Sequence, residues 1–247
     1  MALLFFSVLT TSFLSGIFGM IGGTILLAIL LHLFAPATAL ALHGIAQVTS
    51  NGWRVLLWRK YIYPAVLPGY FIGGLLSVTI FTLLQLQFDV IFIYLFLGIL
   101  PFTPLILPKG RGLDITKRGM SFLCGFSVIT LQLMAGVSGG FLDQSFINSP
   151  LDRRQQIATK ALVQVVAHLT KTFYFTVLLQ HVNDWHEITW LAACVLITAA
   201  MIGNSLAAKP VQKMKQENFK KYSTWLLRML GIFFLCKAGV LFYSNWE

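Results

Sequence analysis

The chain repeats a glycine signature in register, and this repetition limits the fold more than any other feature. Gly19, Gly22 and Gly23 return as Gly136, Gly139 and Gly140. The same shift of about 117 residues carries Ala41 onto Ala158, Gln47 onto Gln164 and Val48 onto Val165 without a gap. Polar positions coincide as well: His43 falls on Lys160, Asn51 on His168 and Arg54 on Lys171. All lie in apolar surroundings, where an ionisable group at mid-membrane depth costs about 2.5 to 3.5 kcal/mol and usually lines a cavity or pathway. Two matching polar ladders imply one site built from two halves.

Composition names the solvent. With 57% hydrophobic and 11% charged residues and a mean hydropathy of +0.79, the chain is more apolar than a soluble domain, and its apolar runs suit about 30 Å of hydrocarbon. The net charge of +10 sits mostly in short loops, so it speaks to orientation. It does not point to nucleic acid, which requires a water-exposed basic face with aromatic platforms. Cys124, Cys194 and Cys236 are scattered through apolar segments without metal-ligand spacing or an evident pairing partner, and read as small core residues. No cofactor or metal is expected. Residues 2–18 lack a basic leader region and run straight into another apolar segment, so they read as retained membrane helix.

Hydropathy predicts helical segments near 2–18, 20–34, 39–58, 63–84, 88–107, 118–135, 138–149, 156–179, 187–207 and 221–243. The stretch from Pro108 to Asp114 combines Gly, Pro and charge and reads as a linker. The organisation is then a first membrane repeat at 1–107, a cytoplasmic linker at 108–117 and a second repeat at 118–247. Basic clusters at Arg59-Lys60, Lys109 to Arg118, Arg153-Arg154 and Lys209 to Lys221 mark the cytoplasmic side, whereas 35–38, 85–89 and 180–187 carry no Lys or Arg. Followed helix by helix, this charge pattern inverts the second repeat relative to the first. Residues 2–34 and 118–149 become helical hairpins, and both termini fall outside. The expected fold is an all-α, multi-pass protein of the cell (inner) membrane. It has two inverted repeats, each a helical hairpin broken at a Gly-x-x-Gly-Gly motif plus three transmembrane helices. Its apolar outer faces meet lipid in any case, so they leave a homo-oligomer open without counting subunits.

A helix broken at glycine can present free N–H groups and a positive dipole end to an anion, which makes Gly22, Gly23, Gly139 and Gly140 candidate substrate contacts. Close packing of helices through small residues is the alternative. His43, Gln47, Asn51 and Arg54 share one helical face, as do Lys160, Gln164, His168 and Lys171, and all eight are candidate binding residues. Arg54 and Lys160 could instead snorkel to the surface. Each glutamine has three candidate partners: a substrate, a broken-helix carbonyl or the other glutamine. Asp143 could pair with Lys160 or His168, or share in proton coupling with His43 and His168. Trp53, Trp58 and Tyr61 read as interfacial anchors.

Gly19-x-x-Gly22-Gly23 followed by Ala41, and Gly136-Val137-Ser138-Gly139-Gly140 followed by Ala158-Thr159, resemble the duplicated glycine signature and downstream Ala-Thr region of the TauE/SafE sulfite exporter family. The resemblance covers almost the whole chain, with Leu42-His43 in the first half where Thr159-Lys160 stands in the second. It implies a permease, most often an exporter, for small sulfur-containing anions such as sulfite, thiosulfate or the organosulfonate sulfoacetate. The cations of the two ladders outnumber Asp143 and suit such a substrate. Alternating access at a midplane site between the repeats is the expected mechanism. Two rival readings stand beside it. One is a rhomboid-like intramembrane serine protease, because Gly136-Val137-Ser138-Gly139 has a Gly-x-Ser-Gly form and His168 could serve as base. The other is an uncoupled anion channel.

Overall fold

The structure, a computed structural model, describes residues 2–18, 21–86, 88–102, 113–147, 149–178, 190–213 and 216–244, and these are helical with short connections. The first half contains α1 (Ala2–Phe18), α2 (Ile21–Leu33), α3 (Pro36–Trp58), α4 (Leu67–Leu84) and α5 (Val90–Ile99). The second contains α6 (Met120–Ala135), α7 (Gly139–Ile147), α8 (Arg153–Phe173), α9 (Trp190–Lys213) and α10 (Gln216–Ser244). Among the described residues there are no strands. Gly19 and the linker residues 108–112 lie outside them.

Local chemistry places several helix ends that hydropathy misjudges. Helix α3 starts at Pro36, three residues before its apolar run, because proline suits the first helical position. Helix α8 starts at Arg153 rather than 156, since Asp152 and Gln155 form a reciprocal capping box. Helix α5 ends at Ile99 and continues as a single 3-10 turn, Leu100–Phe102, where Pro101 lacks the N–H an α-helix needs. The basic stretch expected as a loop at Lys209 to Lys221 is largely helical: α9 continues to Lys213 and α10 begins at Gln216. Hydropathy marks where a helix meets lipid, whereas charged residues extend it beyond that zone. Gly136, at φ 76°, closes α6 in the left-handed conformation that glycine tolerates.

The packing order is symmetric under exchange of the halves. Helix α1 packs on α9 and its counterpart α6 on α4, while α3 packs on its own counterpart α8 and α5 on α10. One apolar core joins Val8, Leu26, Ala46 and Leu196 from α1, α2, α3 and α9. Its counterpart joins Val128, Phe146, Val163 and Tyr70 from α6, α7, α8 and α4. A third, with Leu27, Leu97 and Phe234, ties α2 to α5 and α10. Two outward grooves repeat the relation. Tyr70, Phe71, Gly74 and Leu75 line one, and Met201, Ile202, Ser205 and Leu206 line the other at the same spacing.

Two helices among the described residues, Pro64–Leu84 and Trp190–Ala207, are long and apolar enough to cross a membrane, and four shorter helices are strongly apolar. Large apolar side chains stand outward on many faces, including Leu75, Leu83, Trp190 and Val240. This architecture fits an α-helical membrane protein, in which the outer surface is as apolar as the core. That also corrects the expectation for the cysteines. Cys124 is buried, but Cys194 and Cys236 are exposed on the outer surface, where lipid tolerates them as well as a core would.

Candidate functional site

The candidate site lies where α3 crosses α8. Gly44 allows the approach: a side chain there would run into Thr172 Oγ1 and come within 3.6 Å of the His168 carbonyl. Residues early on α3 meet residues late on α8, and Tyr63, just beyond α3, donates its N–H to Thr159 Oγ1 near the start of α8 at 2.9 Å. The two ladder helices therefore cross in opposite senses.

At one end of the crossing, polar side chains of α3, α6 and α8 bond the carbonyls of Gly23 and Gly136. His43 Nε2 donates to the Gly23 carbonyl at 2.9 Å, while its Nδ1 lies 2.7 Å from Lys171 Nζ. Lys171 is fully buried and donates to the Gly136 carbonyl at 3.0 Å. Gln132 Nε2 donates to the same carbonyl at 3.0 Å and meets His168 Nδ1 at 2.8 Å, and its Oε1 accepts from Ser138 Oγ at 2.8 Å. Carbonyls only accept, which fixes the rest of the pattern. Nε2 of His43 must carry its hydrogen, and the Gln132 amide nitrogen must face Gly136, so each histidine uses Nδ1 as an acceptor. The two rings touch edge to face with centroids 5.3 Å apart. A carbonyl left free at the end of α6 would be a costly buried acceptor, and it receives two donors here.

The glycines face protein. The space a side chain on Gly22 would need is taken by the Thr11 carbonyl and Ser15 of α1, and one on Gly23 would meet the Gln47 amide at 3.1 Å. Gly139 opens α7 and is buried, and Gly140 follows half-buried. Farther along α3, Asn51 Nδ2 donates to the Gln47 carbonyl and Arg54 to Asn51 Oδ1, both at 2.8 Å. Lys160 pairs with Asp143 at 2.7 Å in a partly exposed position. On the two crossing helices, Arg54 Nε of α3 and Gln164 Nε2 of α8 are buried donors with no acceptor among the described residues.

The eight ladder residues and Asp143 thus gather along one crossing, with His43, His168 and Lys171 at one end and Lys160 with Asp143 apart from them. Gln132 was missed in the sequence. The signal was available: a lone amide in an apolar helix, four residues before Gly136 and in register with Ser15. Ser138 does not reach His168, because its hydroxyl donates to Gln132, which stands between them.

An all-helical architecture, an apolar exterior and a buried polar seam fit an α-helical membrane protein. The family model for the sulfite exporter TauE/SafE matches residues 4–234, nearly the full length, and the chain belongs to that family. Its family-level function is membrane transport of sulfite and related sulfur anions. No curated protein and no solved structure is found to match the chain.

Proposed function

We propose that the protein is a permease, working as an exporter, for small sulfur-containing anions such as sulfite, thiosulfate or sulfoacetate. It would act by alternating access between inverted repeats 1–107 and 118–247 joined by a cytoplasmic linker at 108–117. The observation that carries this reading is the pair of unsatisfied buried donors, Arg54 Nε and Gln164 Nε2, on the two crossing helices. A buried N–H without an acceptor costs about 1–3 kcal/mol, and a sulfonate or sulfite oxygen is an acceptor that removes that cost while it is bound. Only a transient ligand is needed, so binding stays weak enough for release. Asn51, Gln47, His168 and the start of α7 at Gly139 border the same crossing and complete the proposed contact set.

The opposite senses of α3 and α8 and the exchange-symmetric packing support inversion, with both termini on the outer side. His43 and Lys171 act in this reading as the fastening between halves, and Gly22 and Gly23 as close-packing positions. Asp143 balances Lys160. A channel lacking coupling uses the same donors, and only flux against a gradient separates the two. The protease alternative has no support in the geometry, since Ser138 lacks a bond to a base.

The test is thermal unfolding of purified protein with sulfite, thiosulfate, sulfoacetate, sulfate and acetate. A ligand present at a hundred times its Kd adds about 2.7 kcal/mol of stability. Selective stabilisation by one sulfur anion, lost in Gln164→Leu, is the expected result. The proposal is overturned if none of these anions raises the Tm and none moves across proteoliposomes.

A further inference from the structure

Gln132 of α6 is fully buried, and both ends of its amide are engaged. Its Nε2 donates to the Gly136 carbonyl at 3.0 Å and lies 2.8 Å from His168 Nδ1, while its Oε1 accepts from Ser138 Oγ at 2.8 Å. A carbonyl cannot donate, so the amide cannot be turned over without setting Oε1 against the Gly136 oxygen. Its second hydrogen therefore faces Nδ1, which has to present a lone pair. The single hydrogen of a neutral imidazole then sits on Nε2.

That second ring nitrogen is unspent. His168 is 4% exposed, and its Nε2 makes no hydrogen bond among the described residues. The ring lies edge to face on His43, with centroids 5.3 Å apart. The groups that act on it electrostatically are Lys171, His43 and Arg54, and none of them is an acid. One turn earlier on the same face of α8 stands Gln164, whose Nε2 also lacks an acceptor among the described residues. Asn51, the counterpart of His168 in the first half, holds no such reserve: its amide nitrogen donates to the Gln47 carbonyl and its Oδ1 accepts from Arg54.

We propose that Gln132 is a positioning residue for anion binding: it holds His168 in the Nε2-protonated form, so that this buried ring offers a hydrogen to an oxyanion oxygen and not a lone pair. The distinction matters because a lone pair aimed at an anionic oxygen repels it, whereas an N–H aimed at the same oxygen makes a charge-assisted hydrogen bond. The form of the ring thus decides whether His168 helps or opposes binding. Gln132 itself touches no ligand and acts only through His168. The identity of the ligand, a small anion with acceptor oxygens such as a sulfonate, rests on the permease reading, but the form of the ring does not.

The experiment is nitrogen-15 NMR of the full-length protein labelled at histidine, in detergent micelles, with the His168 signals assigned by their loss in His168→Asn. Protonated and unprotonated ring nitrogens resonate far apart. His168 should show a bare Nδ1 and a protonated Nε2, and sulfoacetate should move Nε2 more than Nδ1 while acetate moves neither. In Gln132→Leu the Nε2-protonated form should give way to a mixture, and sulfoacetate affinity should fall about tenfold. Both should be unchanged in Ser145→Ala, whose buried hydroxyl bonds the Phe141 carbonyl instead. A hydrogen on Nδ1 in the parent protein overturns the proposal, and that spectrum decides even where Gln132→Leu fails to fold. So does a ring form and affinity unaltered in a folded Gln132→Leu. If the anion reading alone is wrong, no anion moves Nε2, while the protonated Nε2 persists and still depends on Gln132.

Discussion

The two hairpins begin from the same glycine spacing and are closed in different ways. In the second half, the carbonyl of Gly136 receives Gln132 and Lys171, and Ser138 and His168 complete a network satisfied from within. In the first half, His43 is the side chain that donates to the Gly23 carbonyl, which lies within α2, and Ser12 and Ser15 have hydroxyls without a partner among the described residues. The two halves pack alike while their polar chemistry differs. One hairpin is fastened by side chains, and the other is fitted to α1 by close contact and retains vacant polar groups. A buried hydroxyl without a partner costs about 1–3 kcal/mol, so the first hairpin carries a polar cost that the second does not.

The sharpest way to break this contrast is at the adjacent glycines of α2. Gly22→Ala drives a methyl group into backbone atoms of α1, which cannot give way, and should destabilise the protein at or beyond the upper end of about 1–3 kcal/mol. Gly23→Ala meets only the flexible Gln47 amide and should fold with a small loss. Equal Tm losses in the two variants would show that α1 does not seat on Gly22. Next in size is Lys171→Met, which strips a donor from both His43 and Gly136 and should cost about 1–3 kcal/mol in chemical denaturation. Lys160→Met removes a partly exposed ion pair with Asp143 and should cost less than about 1 kcal/mol. Reversal of that order would place the fastening at the wrong end of the crossing. Of similar size is Ser138→Ala, which deletes one hydrogen bond to Gln132, worth about 0.5–1.5 kcal/mol, and should leave anion flux intact.

The polar ladders were legible because a membrane makes polar residues conspicuous, and a register of glycines then pairs them. What hydropathy could not show was which of those residues serve the protein itself. His43 and Lys171 are as polar as Arg54 and Gln164, yet the first two end on carbonyls while Arg54 Nε and Gln164 Nε2 find no acceptor among the described residues, a difference decided by helix crossing and not by sequence spacing. Serines on α1 were invisible for the opposite reason: a hydroxyl in an apolar helix usually bonds its own backbone, so Ser12 and Ser15 carried no signal. Helix ends were misplaced wherever a cap or a proline outranked hydropathy, as at Asp152 and Pro101.

The contact between His43 and Lys171 constrains how such a chain can change over generations. In the repeat register His43 answers to Lys160 and Lys171 to Arg54, so the histidine–lysine contact has two cations, Lys160 and Arg54, at the equivalent positions. Asp143, whose own counterpart is the apolar Leu26, pairs with Lys160 and supplies the missing negative charge. The three positions are therefore expected to covary, with loss of the acid at 143 accompanied by loss of a cation at 160 or 54, which an alignment of related chains would check.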